Sequence, residues 1–596
     1  MNITERITAL RRLMRKNGLD AYIVPSGDAH RTGYVPVYWR TREWISGFTG
    51  SAGTLVVTAD SAGLWTDSRY FIQAAQELEG TGIELHKMGE PGVKSYKQYL
   101  ADILPIHGKL GFDGRVISAM EFDDIKTILK DKIVACFYQN DLVGELWIDR
   151  PLLPSKPAFE HKPAFAGKST ADKLNDVRAK MMEKKYTAYL VSALDDIAWL
   201  LNIRGMDTPY LPVVYAYAVI TIKGAHVFVD SAKIADVSAK LTSQGITLHE
   251  YTELPRLLSI ISTDKLYYNS AKTNVLLSET IPDDVITVNK HTEDIIPLLK
   301  AVKTNEELAN IRNAFVKDGI VLVKTLKWLD EEADKVTPSA ELPVSEVDVV
   351  RTVEKFRKEQ PHYLCCSFLT TSAYCENAAI VHYKAVGNGA ALRKEGLFLL
   401  DTGAQYLDGT TDTTRTVALG PLTDEMKRDF TLVLKGHIAL ARAKFLSGTS
   451  GAGLDILAKL PLWESRQSFN HGTGHGIGYC LSVHEGPQII SPSPSPELSP
   501  GMLLSNEPGL YKEGRYGIRT ENVLLVVEDQ KNEHGTFLSF ENITHCPIDL
   551  RAIDLTVLTD TERDWLNSYH RRTYETLSPH LSEDECAWLK AATRQI

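Results

Sequence analysis

The chain has 596 residues, of which 43% are hydrophobic and 24% are charged, and its formal net charge is -10. A chain of this length must divide into several cores, and its composition is that of folded globular proteins rather than disordered or fibrous ones. An acidic excess is unsuited to neutralising nucleic-acid phosphates, and no apolar run approaches the roughly 18 residues of a membrane span. We therefore expect no nucleic-acid partner and no membrane segment.

One α/β pattern occurs twice in the N-terminal half of the sequence. Apolar residues at helical spacing predict an amphipathic helix over residues 5–17, followed by a buried strand at 21–24. The same pair of elements recurs at residues 174–182 and 188–191. A proline-rich segment at residues 151–157 separates the two copies, because closely spaced prolines favour an extended linker. The pattern predicts one α/β domain used twice.

The C-terminal half begins with a long amphipathic helix, predicted over residues 305–329. Residues 330–343 are acidic and contain proline, so we expect a loop there, before a second helix at 347–358. A helix within residues 555–581 is expected to dock on the core of this part, with a role in an interface as the alternative. The three predicted domains are residues 1–155, 160–302 and 303–596, the last with a C-terminal extension from about residue 535.

Asp401 and Asp412 form the first pair of candidate carboxylates. Asp401 ends an apolar strand, and Asp412 lies within a β-branched returning strand predicted over residues 410–417. Asp408-Gly409 is a strong hairpin signal, but a two-residue loop there offsets the two acids by four residues, roughly 13 Å along a strand. If the two acids share a site, the hairpin has to be longer or bulged.

Glu507 and Glu521 form the second pair. Residues 501–508 and 517–526 are predicted to be strands on either side of a turn centred on Gly514. A loop of three or five residues about that glycine places the glutamates opposite each other, with Cβ atoms about 5 Å apart. Like charges opposed in a sheet are destabilising unless a cation lies between them. The alternative is two acids exposed to water, but the flanking residues are apolar.

Between the two hairpins, His471, His475 and His484 lie among glycines that allow close backbone approach. Each could be an ordinary core or surface histidine, but a neutral imidazole can also bind a metal or transfer a proton. Four carboxylates and one histidine exclude a cysteine-rich structural zinc site. They suit a pair of divalent ions, with Mn²⁺, Co²⁺ or Zn²⁺ favoured over Ca²⁺ by the imidazole. A phosphate loop would need a following Gly-Lys-Ser/Thr, which is missing.

Several segments carry a family resemblance. They are DTGAQYLDGTTDTTRT (401–416), GTGHGIG (472–478), VHEGP (483–487), NEPG (506–509) and GIRTEN (517–522), with YIVPSGDAH (22–30), SGFTGSAG (46–53), WTDSRYF (65–71) and DIAWLLN (196–202) nearer the N-terminus. They resemble the pita-bread metallopeptidases, and more closely the aminopeptidase P family in its long, three-domain form. The resemblance implies an α/β (α+β) chain with two tandem creatinase/prolidase-type N-terminal domains and a C-terminal pita-bread metallopeptidase domain.

The resemblance also implies a set of metal ligands. The residues that match the family's ligands are Asp401, Asp412, His475, Glu507 and Glu521. It assigns Glu507 a second, catalytic role as the acid/base on a water that bridges two divalent ions, with Mn²⁺ preferred over Zn²⁺ or Co²⁺.

Four more residues receive roles from the resemblance. His382, in Val381-His382-Tyr383, matches a histidine that binds substrate and stabilises the transition state. His484 matches the histidine that contacts the scissile carbonyl, and His471 the one that lines the proline pocket. Arg519 resembles the arginine that orients neighbouring carboxylates.

The implied activity is that of a metal-dependent aminopeptidase. It releases the first residue of peptides with proline at the second position, by attack of a metal-bridging hydroxide. Since proline lacks a backbone N–H, such an enzyme needs a shaped apolar pocket in place of a contact to that donor. The resemblance also implies a homodimer formed through the catalytic domain. The absence of a secretory signal and the seven scattered cysteines indicate a cytoplasmic location.

Three other functions compete with this interpretation. Prolidase, which cleaves only Xaa-Pro dipeptides, belongs to the same class, but prolidase-like chains carry one N-terminal domain rather than two. A non-catalytic peptide-binding protein on the pita-bread fold is disfavoured by the intact ligand set. A creatinase-like hydrolase is metal-free and lacks this ligand pattern.

Overall fold

The computed structural model describes residues 1–290 and 294–596. Two compact units make up the chain, one of Met1–His161 with Lys168–Ile296 and the other of Lys162–Gly167 with Pro297–Ile596. The chain contributes the short segment Lys162–Gly167 to the second unit, returns to the first, and passes finally to the second in the helix Ile296–Ala301. In the described part of the chain, no helix has both the length and the apolar character needed to cross a membrane.

The first unit contains two six-stranded sheets. In spatial order, the first sheet consists of Glu84–Lys87, Ala62–Thr66, Thr54–Thr58, Ala21–Pro25, Lys109–Phe112 and Ala135–Phe137. The second consists of Ile246–His249, Ala225–Val229, Ala216–Thr221, Ala188–Val191, Lys265–Tyr268 and Ile286–Val288. Corresponding neighbours pair in the same sense, antiparallel or parallel, in both sheets. This shared topology confirms the internal repeat.

Helices flank the strands of both sheets. The helices of the first copy are Ile3–Lys16, Thr41–Ser46, Phe71–Glu77, Tyr96–Ile103, Ala119–Leu129 and Leu142–Leu146. Those of the second copy are Thr170–Glu183, Leu194–Leu201, Ala235–Ser243, Leu254–Ser259 and Val275–Ser278. The first helix begins two residues earlier than predicted, because the side chain of Asn2 caps it by accepting from the backbone N–H of Glu5.

The second unit has longer helices and several small antiparallel sheets. Its helices are Pro163–Ala166, Asn305–Asp334, Glu346–Lys358, Asp424–Ala441, Asp455–Glu464, Asp560–Leu577 and Glu583–Ala592. Its main sheets are Thr371–Tyr374 with Leu397–Thr402 and Thr413–Ala418, and Lys444–Leu446 with Gly535–Asn542, Asn522–Asn532 and Leu503–Asn506. Smaller sheets are Tyr363–Cys366 with Ala404–Tyr406 and Gly409–Thr410, Glu341–Ser345 with Ala391–Arg393, Gly474–His475 with Ile489–Ile490, and Gly509–Lys512 with Tyr516–Arg519.

The predicted loop at residues 330–343 is wrong at both ends. The helix Asn305–Asp334 continues through the acidic residues, because Leu329 and Ala333 extend its buried stripe. At the other end, Glu341–Ser345 is a strand paired with Ala391–Arg393. The predicted docking of the C-terminal helix is confirmed, since Leu566 and Tyr569 of Asp560–Leu577 are buried in the core.

Candidate metal centre

The first carboxylate hairpin turns one residue earlier than the Asp-Gly signal predicts. Asp401 lies opposite Thr414, and Tyr406 lies opposite Gly409, so the two-residue loop is Leu407-Asp408. Along this register, Asp412 is displaced by two residues from the position opposite Asp401, about 7 Å at the rise of a strand. The two acids are therefore diagonal neighbours.

Packing explains why the turn avoids Asp408-Gly409. The buried carboxylate of Asp408 pairs with Lys317 and accepts from Asn313 Nδ2 at 2.7 Å. Gly409 lies against the long helix, where an added Cβ would be 2.7 Å from the Cβ of Ala314. The glycine therefore serves close approach to the helix, and the hairpin reverses before it.

The second hairpin confirms the predicted opposition of Glu507 and Glu521. Asn506 pairs with Asn522, and Gly509 pairs with Arg519, in one continuous register. That register places the two glutamates opposite each other at the break between the ladders. The two acids therefore share one face of the hairpin.

The imidazole of His475 reaches this group of carboxylates. Its Nε2 lies 3.6 Å from Asp412 Oδ2 and 3.4 Å from Glu507 Oε1, while its Nδ1 is 3.0 Å from the carbonyl oxygen of Gly476. Donation from Nδ1 to that carbonyl leaves the Nε2 lone pair directed at the carboxylates, which is the tautomer a metal ligand needs. Close backbone approach holds the ring here, since a Cβ on Gly474 would be 1.9 Å from the carbonyl oxygen of Ser505.

Three of these residues, Asp412, His475 and Glu521, each offer a ligand atom within 4.8 Å of the other two. Burial, followed by repulsion from neighbouring carboxylates, raises the pKa of Asp412 and Glu507. Burial, with a further contribution from Asp401, raises the pKa of Glu521 to about 8. The group therefore favours protons or another source of positive charge between its oxygens.

The donor set fits a divalent cation. Asp401 Oδ1 is buried, and no hydrogen-bond donor reaches it among the residues that the structure describes. A buried carboxylate oxygen without a donor is costly unless it binds a cation. Oxygen ligands with one imidazole are the ligands that Mn²⁺, Zn²⁺ and Co²⁺ accept.

Arg519 is the buried cation of the site. Its Nη2 donates to Asp401 Oδ2 at 2.6 Å, and its Nε donates to Thr414 Oγ1 at 3.2 Å. The hydroxyl of Thr414 in turn donates to Glu521 Oε2 at 2.7 Å. Arg519 and Thr414 thus orient one carboxylate from each hairpin.

Tyr511 extends this network to His471. The Tyr511 hydroxyl accepts from Arg519 Nη1 at 2.8 Å and lies 2.9 Å from His471 Nε2. His471 Nδ1 lies 2.8 Å from the carbonyl oxygen of Gly472, so Nδ1 carries the proton and Nε2 accepts from Tyr511. Burial lowers the pKa of His471 to about 3, which keeps its ring neutral.

Two predicted substrate residues, His484 and His382, lie at the exposed side of the site. His484 is an exposed residue, and the centroid of its ring is 4.3 Å from that of His475. His382 is also exposed and is close enough for its charge to lower the pKa of His471. The nine predicted site residues therefore converge in the second unit.

The residue after His484 anchors its loop. Glu485 is buried and its carboxylate lies 2.7 Å from Lys303 Nζ and 3.5 Å from Lys300 Nζ. The backbone N–H of Glu485 donates to the carbonyl of Gly476, beside His475. This buried ion group fixes the backbone on which two of the histidines stand.

The sequence interpretation missed Thr414, Tyr511 and Glu485. The predicted register of the second hairpin could have found Tyr511, whereas the Asp-Gly signal of the first hairpin places Thr416 rather than Thr414 opposite Asp401. Thr414 pairs directly with Asp401, and Tyr511 pairs with Gly517, on the same strand face as Arg519. Glu485 gave no such signal, because its lysine partners are more than 180 residues away in sequence.

Comparison with protein-family models finds matches along nearly the whole chain. Residues 6–138 and 149–307 match creatinase/prolidase N-terminal domains. Residues 309–528 match metallopeptidase family M24, and residues 536–596 match the C-terminal region of peptidase M24.

Full-length relatives and a solved structure show the same likeness. "Aminopeptidase P2" of Arabidopsis thaliana is 39% identical, and the match covers 100% of this chain and 89% of that protein. "Aminopeptidase P1" of the same plant is 37% identical, with 100% and 99% covered. The crystal structure of an X-prolyl aminopeptidase from Caenorhabditis elegans, described as a cytosolic enzyme with a di-nuclear active site, has a TM-score of 0.95 and 34% identity over 100% of both chains.

Proposed function

Since the chain belongs to the aminopeptidase P group of metallopeptidase family M24 and is a metal-dependent Xaa-Pro aminopeptidase, we propose how its residues perform that reaction. The proposed metal ligands are Asp401, Asp412, His475, Glu507 and Glu521. The observation that carries this assignment is the approach of ligand atoms from Asp412, His475 and Glu521 to within 4.8 Å of one another. Glu507 reaches the same imidazole at 3.4 Å.

We propose two divalent ions with Mn²⁺ as the native metal, and Zn²⁺ or Co²⁺ as substitutes. Four carboxylates and one guanidinium leave a large negative charge, which two divalent ions can balance. When bound, such a pair acidifies a water molecule and polarises a peptide carbonyl. The di-nuclear active site described for the nematode X-prolyl aminopeptidase supports the number of ions.

Glu507 is proposed to move the proton of the attacking water. Its carboxylate lies 3.4 Å from the imidazole of His475, so it stands where it can accept a proton from that water and pass it to the leaving nitrogen. Ser505 Oγ, 3.3 Å from Glu507 Oε1, orients the carboxylate. Arg519 holds the carboxylate of Asp401 in place by an ion pair at 2.6 Å.

The three histidines outside the ligand set are proposed to bind the peptide. His484 is exposed beside His475, which suits donation of a hydrogen bond to the oxygen of the scissile carbonyl. His471 is neutral and its ring centroid lies 4.8 Å from that of Phe469, which suits the wall of an apolar proline pocket. His382 is proposed to bind the substrate and to stabilise the transition state. The substrates are peptides with proline at the second position.

Counting metal ions tests the ligand assignment. We expect about two ions per chain in the manganese-loaded protein by elemental analysis. Asp412→Asn and Glu521→Gln each replace a ligand carboxylate by an amide. Each variant should bind less metal, and its activity should fall at least about 100-fold. Glu513→Gln, an exposed carboxylate in the turn of the same hairpin, is the matched control and should change neither. Full metal content in both ligand variants would contradict the assignment.

We further propose three domains with the boundaries 1–155, 160–302 and 303–596, and a homodimer of the whole chain. The helix Asp455–Glu464 exposes Ile456, Leu460 and Trp463 at spacings of four and three residues, which lie on one helix face. Large apolar residues grouped on a surface are typical of an interface. This supports a second copy of the chain as the partner.

A cytoplasmic location is part of the proposal. The seven cysteines are thiols and form no disulfide in the part of the chain that the structure describes, as expected in a reducing compartment. The nematode X-prolyl aminopeptidase, which is described as a cytosolic enzyme, supports the same location.

A further inference from the structure

Glu346 is a buried acid outside the group of metal-site carboxylates. It is the first residue of the helix Glu346–Lys358, directly after the capping residue Ser345, and its exposed fraction is 0%. No ion pair neutralises it among the residues that the structure describes. A buried carboxylate without a cation is stable only when hydrogen bonds satisfy its oxygens, assisted here by the positive end of the helix.

Four donors from one segment satisfy this carboxylate. Oε1 accepts from the backbone N–H of Tyr374 at 2.8 Å and from Asn377 Nδ2 at 2.9 Å. Oε2 accepts from the Tyr383 hydroxyl and from the backbone N–H of Ala390, both at 2.8 Å. A carboxylate can accept at all four positions, whereas a side-chain amide would present a donor to two of them.

The four donors lie on both sides of His382 in sequence. Tyr383 is its direct neighbour, and Ala390 closes the segment by a second contact, in which its carbonyl accepts from the backbone N–H of Glu346 at 3.0 Å. Glu346 therefore holds residues 374–390 at three places: the start of the segment, the residue after His382, and the end of the segment.

The segment also packs against the strand that carries Arg519. A Cβ added to Gly517 would be 1.8 Å from the carbonyl oxygen of Ala378, so the two backbones are in direct contact. The segment is thus fixed between Glu346 and the strand Tyr516–Arg519 of the metal-site hairpin.

We propose that Glu346 is a positioning residue that acts through His382. Its carboxylate fixes residues 374–390 so that the His382 imidazole stands at the position where the peptide binds. The inference deepens the proposed function and rests on the substrate role of His382 given there. The segment is held by four charge-assisted hydrogen bonds to this one carboxylate.

The first test compares Glu346→Gln with Glu376→Gln in the manganese-loaded enzyme. Glu376 lies in the same segment and is exposed, so it is a matched control for the loss of one charge. Removing a positioning hydrogen-bond partner typically lowers activity about 10- to 100-fold. We expect kcat/KM for Ala-Pro-Ala to fall by this factor in Glu346→Gln, with the metal content unchanged, and to stay unchanged in Glu376→Gln. Wild-type kcat/KM in Glu346→Gln would overturn the proposal.

A double-mutant cycle separates positioning from general stability. If Glu346 acts through His382, Glu346→Gln should change kcat/KM less than about 2-fold in a His382→Ala background. Additive losses would overturn the proposal while leaving the role of His382 intact. Full activity of His382→Ala alone would instead refute the substrate role of His382, and the positioning role would fail with it. If Glu346→Gln does not fold, Tyr383→Phe removes one donor from Oε2 and should show a smaller loss with the same non-additivity.

Discussion

A single guanidinium cannot balance the carboxylates of the metal centre. Arg519 neutralises Asp401 directly, but Asp412, Glu507 and Glu521 remain close together in a buried site with raised pKa values. In water, these carboxylates would repel one another and separate. Where the fold holds them together, protons or cations must offset the repulsion. The same residues that bind metal should therefore control how the metal-free protein responds to pH.

The sign of that response follows from Glu521. Its pKa is raised from 4.5 to about 8, so the metal-free native state binds this proton more tightly than the unfolded state does. The stabilisation is complete below about pH 4.5 and is lost as the pH rises through about 8. Buried neutral histidines act oppositely, but only below the ordinary histidine pKa of about 6.5. The range from pH 6.5 to 8 lies above the ordinary pKa of histidine and below that of cysteine, about 8.5, so it reports the carboxylates.

We predict that the melting temperature of the metal-free protein falls between pH 6.5 and pH 8. Manganese should remove this dependence, because bound cations replace the protons. Glu521→Gln, which cannot ionise at this position, should show a smaller slope without metal. Scanning calorimetry with and without a chelator measures all three. A melting temperature that rises with pH in the metal-free wild type would contradict the electrostatic account.

How far the site could be predicted depended on the range of each interaction. Opposition of Glu507 and Glu521 followed from a symmetrical turn about Gly514, which is a local rule. The position of Asp412 relative to Asp401 did not follow from a local rule. The turn between them is displaced by the buried contact of Asp408 with Lys317, which is 91 residues away in sequence. Residue roles such as that of His382 came from family resemblance, since spacing alone assigns none.

At the scale of elements, close packing between the 374–390 segment and a strand controls the site. Gly517 has no room for a side chain, since its Cβ would overlap the carbonyl of Ala378. The segment and the strand would have to separate to accept one methyl group. That movement would shift His382 on one side and Arg519 on the other.

We predict that Gly517→Ala lowers kcat/KM at least about 10-fold and lowers the melting temperature, because overpacking costs about 1–3 kcal/mol. Gly453→Ala is the matched control, because its nearest neighbour would be 3.5 Å from the new Cβ, an ordinary contact. Steady-state kinetics and thermal melting measure both effects. Equal behaviour of the two variants would show that contact with this strand does not position the segment.

Element boundaries were predicted well where local signals act and poorly where packing extends an element. The helix Glu346–Lys358 begins within one residue of its predicted start, because Ser345 and Asp348 form a capping box. The helix Asn305–Asp334 extends beyond its predicted end, because Ala333 is buried in the core although acidic residues, which are typical of a loop, surround it. Composition alone could not distinguish these cases.

At the scale of the whole molecule, the repeat in the first unit was visible in sequence because each copy buries the same strand between similar neighbours. Ala21–Pro25 and Ala188–Val191 occupy the same position in their sheets, and both are fully buried. Long crossover connections between parallel strands were not visible. Strand order therefore required the structure, although the repetition itself did not.

The proposed dimer gives a prediction at this scale. We expect the wild type to have twice the mass of one chain by light scattering after size-exclusion chromatography. Leu460→Asp places a charge in the exposed apolar face of Asp455–Glu464 and should yield monomer, because an unpaired buried charge disfavours association. Leu555→Asp, at a similarly exposed leucine outside this face, should leave the dimer intact. A monomeric wild type, or a dimeric Leu460→Asp, would contradict the proposal.

The most direct test of the central claim is cleavage of Ala-Pro-Ala and Ala-Pro by the manganese-loaded protein, followed by mass spectrometry. We predict release of alanine and Pro-Ala from the tripeptide, faster than hydrolysis of the dipeptide, and loss of both activities on chelation. Cleavage of the dipeptide alone would identify a prolidase. No cleavage of either peptide, with two metal ions bound, would contradict the catalytic account as a whole.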